Sequence, residues 1–328
     1  MTSIDVAAPP QDVLARTRAA VDPLVRAALD ELPGETREVV EHGLASQDFS
    51  TAALVLLSAA AFGDDDVALV AVALEFADLH EKLHAGLMNR TGAREVFGAD
   101  RTVSAADALL SLACARLTRP GVMILNVALM SVVDGYVQEI GMDEDADSDM
   151  TQHLGVAAAK HSSLTAAACE LGALAAGATA SQAAHLRQFG DDIGLARKHV
   201  DDVRGIHDAL ATGRRTLPVV VAINAGTEVD GPDSHAAVVA AGGLRWCEQQ
   251  AELLLARAQN HLRQCAPRAG AAGELTGLAR RVTTDRLIAV VPAQPTAPAQ
   301  PLAAAQPTAP APPIAPAQPI APGQPTTA

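Results

Sequence analysis

From about Gln11 to Arg286 the apolar residues of this chain recur at three- and four-residue intervals, and no alternating, β-branched segment of useful length interrupts them. That is the period of an α-helix whose apolar stripe faces a core. Leu14, Val21, Leu24, Val25 and Leu29 set it, and segments near 52–62, 66–88, 104–117, 121–140, 151–177, 180–204, 216–224, 235–263 and 272–287 repeat it. Gly and Pro punctuate the pattern at Leu32-Pro33-Gly34, Phe62-Gly63-Asp64, Arg119-Pro120-Gly121 and from Gly226 to Pro232. The expected fold is all-α. Nearly half of the 328 residues (49%) are apolar but only 2% are aromatic, so the core must be Ala, Leu and Val, which favours closely packed helices over a β-sandwich.

The periodicity stops abruptly. From Pro292 to Ala328 there is no charged residue, and 12 of the 20 prolines lie there, in recurring Gln-Pro-Thr-Ala-Pro-Ala and Ile-Ala-Pro phrases. Proline fixes φ and removes a donor, so residues 289–328 are expected to be an extended, disordered tail, with residues 1–10 disordered at the other end and one helical domain over 11–288. The formal charge of −14 argues against nucleic acid, whose phosphates need a basic face. No run approaches the roughly 18 apolar residues of a membrane span. Met1-Thr2-Ser3-Ile4-Asp5 lacks the regions of a secretory signal, so the expected compartment is the cytoplasm. Cys114, Cys169, Cys247 and Cys265 lie far apart and read as buried free thiols. The acidic run Asp143 to Asp149 lacks the glycine and final glutamate of a calcium loop and reads as a solvated interhelical turn.

Two stretches read as matching halves of one site. The first is His84-Ala85-Gly86-Leu87-Met88-Asn89, and the second runs from Gly194 to Gly205 and contains Arg197-Lys198-His199-Val200-Asp201-Asp202. Other landmarks stand in order around them: Ala53 to Ala59, Glu75, Phe97-Gly98, Asp107, Lys160-His161-Ser162-Ser163-Leu164, Cys169 to Ala173, and Gly213-Arg214-Arg215-Thr216-Leu217-Pro218. The ordered series resembles the polyprenyl synthetases (trans-isoprenyl diphosphate synthases), over nearly all of residues 11–287. The resemblance implies an isoprenoid-synthase-type bundle of about ten or more helices around a central cavity. It also implies prenyl transfer: an allylic diphosphate ionises and isopentenyl diphosphate attacks the cation, with magnesium gripped by two Asp-rich helices.

This chain departs from that pattern where the chemistry belongs. An Asp-Asp-x-x-Asp helix can hold magnesium because positions i, i+1 and i+4 share a face. Here those positions are Ala85, Gly86 and Asn89. The second motif keeps Asp201 and Asp202 as metal candidates, but Arg197 and Lys198 stand four residues before them, at ion-pairing distance on a helix. Gln47-Asp48-Phe49 replaces the basic Gly-Lys-Arg segment of the family, Tyr136 stands where the family commonly has Gly-Gln, and the segment from Asp202 to Gly213 is short. By resemblance, Lys160, Arg90 and Arg214 are the candidate diphosphate-binding residues. His80 and Glu81 fall at positions that line the elongation cavity in the family, where ionisable groups are costly unless paired.

A different motif lies on the same helix. His80-Glu81-Lys82-Leu83-His84 matches HExxH, in which two imidazoles hold zinc and the glutamate is a general base. Glu95, His161 and His199 are the candidates for a third ligand. Three readings therefore stand. The first is a catalytically impaired family member of isoprenoid biosynthesis acting as an accessory or regulatory subunit, as a homodimer or beside an active prenyl synthase. The second is an active prenyltransferase using magnesium at an altered site, and the third is a zinc-dependent hydrolase. The tail is similar to Pro/Ala-rich extensions that direct some actinobacterial isoprenoid enzymes into encapsulin-type shells, which makes such a shell a candidate partner.

Overall fold

A computed structural model describes residues 7–63, 66–144 and 149–283, apart from the side chains of Asp143 and Glu144. The tail at 289–328 and most of the first ten residues lie outside the described residues. So does the middle of the acidic run, at 145–148.

Every regular element among the described residues is a helix. The first three are α1 (Pro10–Leu29), α2 (Gly34–Leu44) and α3 (Ser50–Ala60), followed by the long α4 (Ala68–Asn89). Then come α5 (Ala93–Phe97), α6 (Ala99–Ala115), α7 (Arg119–Glu144), α8 (Met150–His161) and α9 (Ser163–Ala175). The second half holds α10 (Ala180–Arg204), α11 (Ile206–Ala211), α12 (Leu217–Asn224), α13 (Ser234–Ala240), α14 (Gly243–Gln264) and α15 (Ala269–Val282). The chain is an all-α bundle, as its periodicity predicts.

Boundaries differ from that expectation in identifiable places. The periodic run 151–177 is two helices, α8 and α9, separated at Ser162, and 235–263 is α13 and α14, separated where Gly242 takes φ +80°. The acidic run does not form one continuous turn: α7 extends to Glu144, and Asp149 starts α8 as half of a capping box, its Oδ1 accepting from Gln152 N at 2.9 Å and its own N–H donating to Gln152 Oε1 at 2.8 Å. The periodic segments omit α2, which has 11 residues, and also α5 and α11, which at 5 and 6 residues are too short for periodicity to reveal.

Packing is tight because the contact residues are small. α4 is buried along Ala71-Val72-Ala73-Leu74 and at Phe76, Ala77 and Leu79, and packs on α6. α10 packs on α9 and α14, and Gly190 and Gly194 let it approach: a Cβ at Gly194 would stand 2.7 Å from the His161 carbonyl oxygen and 2.7 Å from Ser162 Cα. Phe49, Phe76 and Leu109 anchor one core cluster, and Leu186, Phe189, Leu275 and Leu278 another. Cys169, Cys247 and Cys265 are buried free thiols as expected, while Cys114 is only half-buried.

Among the described residues, α7 is the helix nearest in length and apolarity to a membrane span. Its stretch Arg119–Met142 has a mean hydropathy of 1.5 and is long and apolar enough to cross a membrane. Counting uninterrupted apolar residues misses it, because Asn126, Ser131 and Asp134 are interspersed. One side of α7 packs on α8 and α9. Met123, Val127, Met130, Val133, Val137 and Ile140 are exposed.

Candidate functional site

α4 and α10 line a common cavity of about 530 Å³. Asp78, Glu81, Lys82, Ala85 and Asn89 reach it from α4, at the three- and four-residue spacing of one helix face. From α10 come Arg197, Lys198, Asp201 and Asp202. α7 adds Tyr136 and Glu139, α8 adds Lys160 and His161, and the turn before α12 adds Arg214, Arg215 and Thr216.

Near-neighbour pairing of charge dominates this lining. Lys82 Nζ lies 2.6 Å from Asp78 Oδ2 and 2.5 Å from Gln47 Oε1. Lys198 Nζ lies 2.5 Å from Asp202 Oδ1, and Arg197 Nε 3.5 Å from Asp201 Oδ2. Burial works against the Arg197 charge, but Asp78, Asp201 and Asp48 outweigh it and raise its pKa. Burial also works to raise the Asp48 carboxyl, yet hydrogen bonds from Ser50 and the charges of Arg197 and Lys82 bring it below its ordinary value. Asp202 is only 5% exposed, and its second oxygen accepts the Leu217 N–H at 3.2 Å, at the start of α12. It joins two helices as well as facing the cavity.

The opposite wall is built in the same way. Lys160 Nζ lies 2.5 Å from Glu139 Oε2 and 4.1 Å from the centroid of the Tyr136 ring. Gly135 permits this, since a Cβ there would stand 2.7 Å from Lys160 Cγ. The Tyr136 hydroxyl donates to Glu81 Oε1 at 2.7 Å. Burial raises the Glu81 carboxyl, with the Tyr136 bond opposing that and Asp78 adding to it. The two ionisable residues before the first motif are thus paired: Glu81 with Tyr136, and His80 Nδ1 with the Ala106 carbonyl oxygen at 2.9 Å.

The sequence candidates separate on this geometry. Ala85, Asn89, Lys160, Arg214, Asp201 and Asp202 share the cavity. Arg90 does not line it. It is exposed and takes φ +58° as the left-handed cap of α4, where the Gly86 carbonyl accepts the Arg90 and Thr91 N–H groups. His80 and His84 lie with ring centroids 4.6 Å apart and planes tilted by 56°, and also stand outside the lining. Among the described residues no group of three or more His, Cys, Asp or Glu side chains is placed to hold a metal, so no third ligand joins the two histidines. Glu95 is exposed on α5. His161 lines the cavity beside Lys160, Arg197 and Lys198. His199 is buried edge-on to Trp246, and burial and Lys198 lower it to about 4. Sequence reading missed the Gln47, Asp78 and Lys82 group, although the i, i+4 spacing of Asp78 and Lys82 signals an ion pair.

Magnesium prefers near-octahedral oxygen ligation at about 2.0–2.1 Å. Here the face of α4 at the first motif offers an alanine methyl and an amide, while each α10 carboxylate has a resident cation. These residues do not fit a magnesium grip shared by two helices.

A closed helical bundle with a polar cavity between two long helices is the architecture of the isoprenoid synthases, and comparison with known proteins agrees. The polyprenyl synthetase family profile matches residues 89–229. A geranylgeranyl diphosphate synthase of Mycobacterium tuberculosis is 29% identical over 256 residues, covering 66% of this chain and 73% of its own. A (2E,6E)-farnesyl diphosphate synthase of the same species is 26% identical over 298 residues, covering 73% and 83%. The crystal structure of a polyprenyl synthetase from Streptomyces coelicolor A3(2) superposes with a TM-score of 0.71 at 25% identity, over 83% of this chain and 99% of that one. These matches support the polyprenyl synthetase family of trans-isoprenyl diphosphate synthases, to which the chain is similar over most of its length. The matched span opens at Asn89, the last position of the first motif, so it excludes Ala85 and Gly86.

Proposed function

We propose that this protein serves isoprenoid biosynthesis as a catalytically impaired accessory subunit, retaining the prenyl synthase cavity without its two-sided metal grip. The observation that carries this reading is the pairing of Asp201 with Arg197 and of Asp202 with Lys198, across a cavity whose other wall presents Ala85 and Asn89. Ionising an allylic diphosphate requires charge on the departing diphosphate to be offset. Here the carboxylates that would recruit divalent ions for that purpose are already neutralised by side chains. The exposed apolar stripe of α7 supports a dimeric state, as a homodimer or with an active synthase, because contiguous apolar surface of this kind favours burial.

The second reading, an active prenyltransferase using magnesium, is favoured by the relatives named as geranylgeranyl and farnesyl diphosphate synthases. The test is direct. Full-length protein is incubated with magnesium, labelled isopentenyl diphosphate and dimethylallyl, geranyl or farnesyl diphosphate. The accessory reading expects no chain extension above a trace, and sustained extension with any of the three would replace it with the enzymatic one. The hydrolase reading has no assembled ligand set among the described residues.

A further inference from the structure

We propose that the cavity holds a diphosphate group directly on resident ammonium and guanidinium groups, with no divalent ion between ligand and protein. The proposal rests on the reading that the cavity outlived its metal grip. It begins from the disagreement between the residues present and a magnesium site. At Asp78, Asp201 and Asp202 the place beside each carboxylate is taken by Lys82, Arg197 and Lys198. Those cations are held in place and still carry donors: an ammonium has three N–H bonds, and Asp202 receives one from Lys198.

A side chamber of about 200 Å³ adjoins the cavity and is lined by His161, Lys198, Asp201, Asp202, Arg214 and Thr216 among others. Lys198, Arg214 and Thr216 face both chambers, as do His161, Asp201 and Asp202, so donors on the shared wall reach into two adjoining spaces, as two linked phosphoryl groups would need. The Thr216 Oγ1 is buried without a hydrogen-bond partner among the described residues, so a donor stands ready there. His161 lines both chambers and brings a ring nitrogen to them. Six basic side chains line the main cavity against five carboxylates. One of those five, Glu81, is shifted towards its neutral form by burial. The excess is positive although the whole chain carries −14. Charge-assisted bonds to phosphate oxygens are the strongest this lining offers.

Isothermal titration of the full chain with inorganic pyrophosphate tests the proposal in two buffers, one containing EDTA and one containing excess magnesium. The expected result is saturable binding in EDTA, with a Kd within about threefold of that in magnesium. Lys198→Gln and, as a near-isosteric check on folding, Thr216→Val are each expected to weaken binding in EDTA by about tenfold. A parallel titration with farnesyl diphosphate reads whether a prenyl tail adds affinity to the shared diphosphate group. Binding seen only with magnesium, or with neither buffer, or unchanged in both variants, overturns the proposal. Those outcomes are separate from chain extension, which alone overturns the accessory reading.

Discussion

Glu75 shows how one buried acid serves the fold rather than the site. It is 1% exposed on α4, and its Oε2 accepts the Ala52 N–H at 3.0 Å near the start of α3. Burial, with Asp78 adding to it, pushes the carboxyl up to about 8, against about 4.5 for an ordinary glutamate. The folded state therefore binds a proton that the unfolded chain releases. The stability tied to this proton is complete below about pH 4.5 and is lost as pH rises through about 8. Glu75→Gln keeps an acceptor for Ala52 and removes the titration. Between pH 5 and pH 8.5 the native protein is expected to lose roughly 1–3 kcal/mol more stability than the variant, read from urea midpoints. Equal losses would show that Glu75 ionises normally in the fold. In the sequence Glu75 is a landmark before the first motif; its burial and its bond to Ala52 arise only when α3 meets α4.

The helices themselves were largely legible, and their misread boundaries share a cause. Runs 151–177 and 235–263 keep helical periodicity across the junctions at Ser162 and Gly242, because periodicity records which side chains are buried and not whether the axis continues. α10 crosses the first of these junctions. Gly194 belongs to the second motif, yet its structural use is to let α10 lie against His161 and Ser162. Gly194→Ala is expected to cost about 1–3 kcal/mol through overpacking against backbone that cannot yield locally. Gly155→Ala is the opposite case, since nothing stands within 4 Å of a Cβ there, in the interior of α8. It is expected to stabilise by about 0.5–1 kcal/mol. Thermal unfolding of the pair checks both signs, and a neutral Gly194→Ala would mean that the two helices are less closely seated.

At the scale of the molecule, α7 is the element with most left to explain. Its exposed Met130 (65%) and Val137 (63%) lie two helical turns apart, in the middle of a stripe from Met123 to Ile140. A second protein surface is the proposed cover. Met130→Glu with Val137→Glu is expected to shift the full chain from dimer to monomer by light scattering, with its helical circular dichroism retained. A native protein already monomeric at micromolar concentration would remove the homodimer and leave a heterodimer to be sought. The same scale governs the cavity. Arg90 sits one residue after Asn89, yet Asn89 lines the cavity and Arg90 faces away, because the left-handed cap ends α4 between them.

Helical class, the order of the landmarks, the absence of carboxylates at Ala85 and Asn89, and the ion-pair spacing on α10 were all set by the chain alone, because periodicity and residue identity are local properties. Which groups meet was decided by tertiary packing. Asp202 bonds to the start of α12 fifteen positions away, Lys82 to Gln47, and Tyr136 to Glu81. Those encounters depend on how closely small residues allow helices to approach, a distance that no one-dimensional pattern contains.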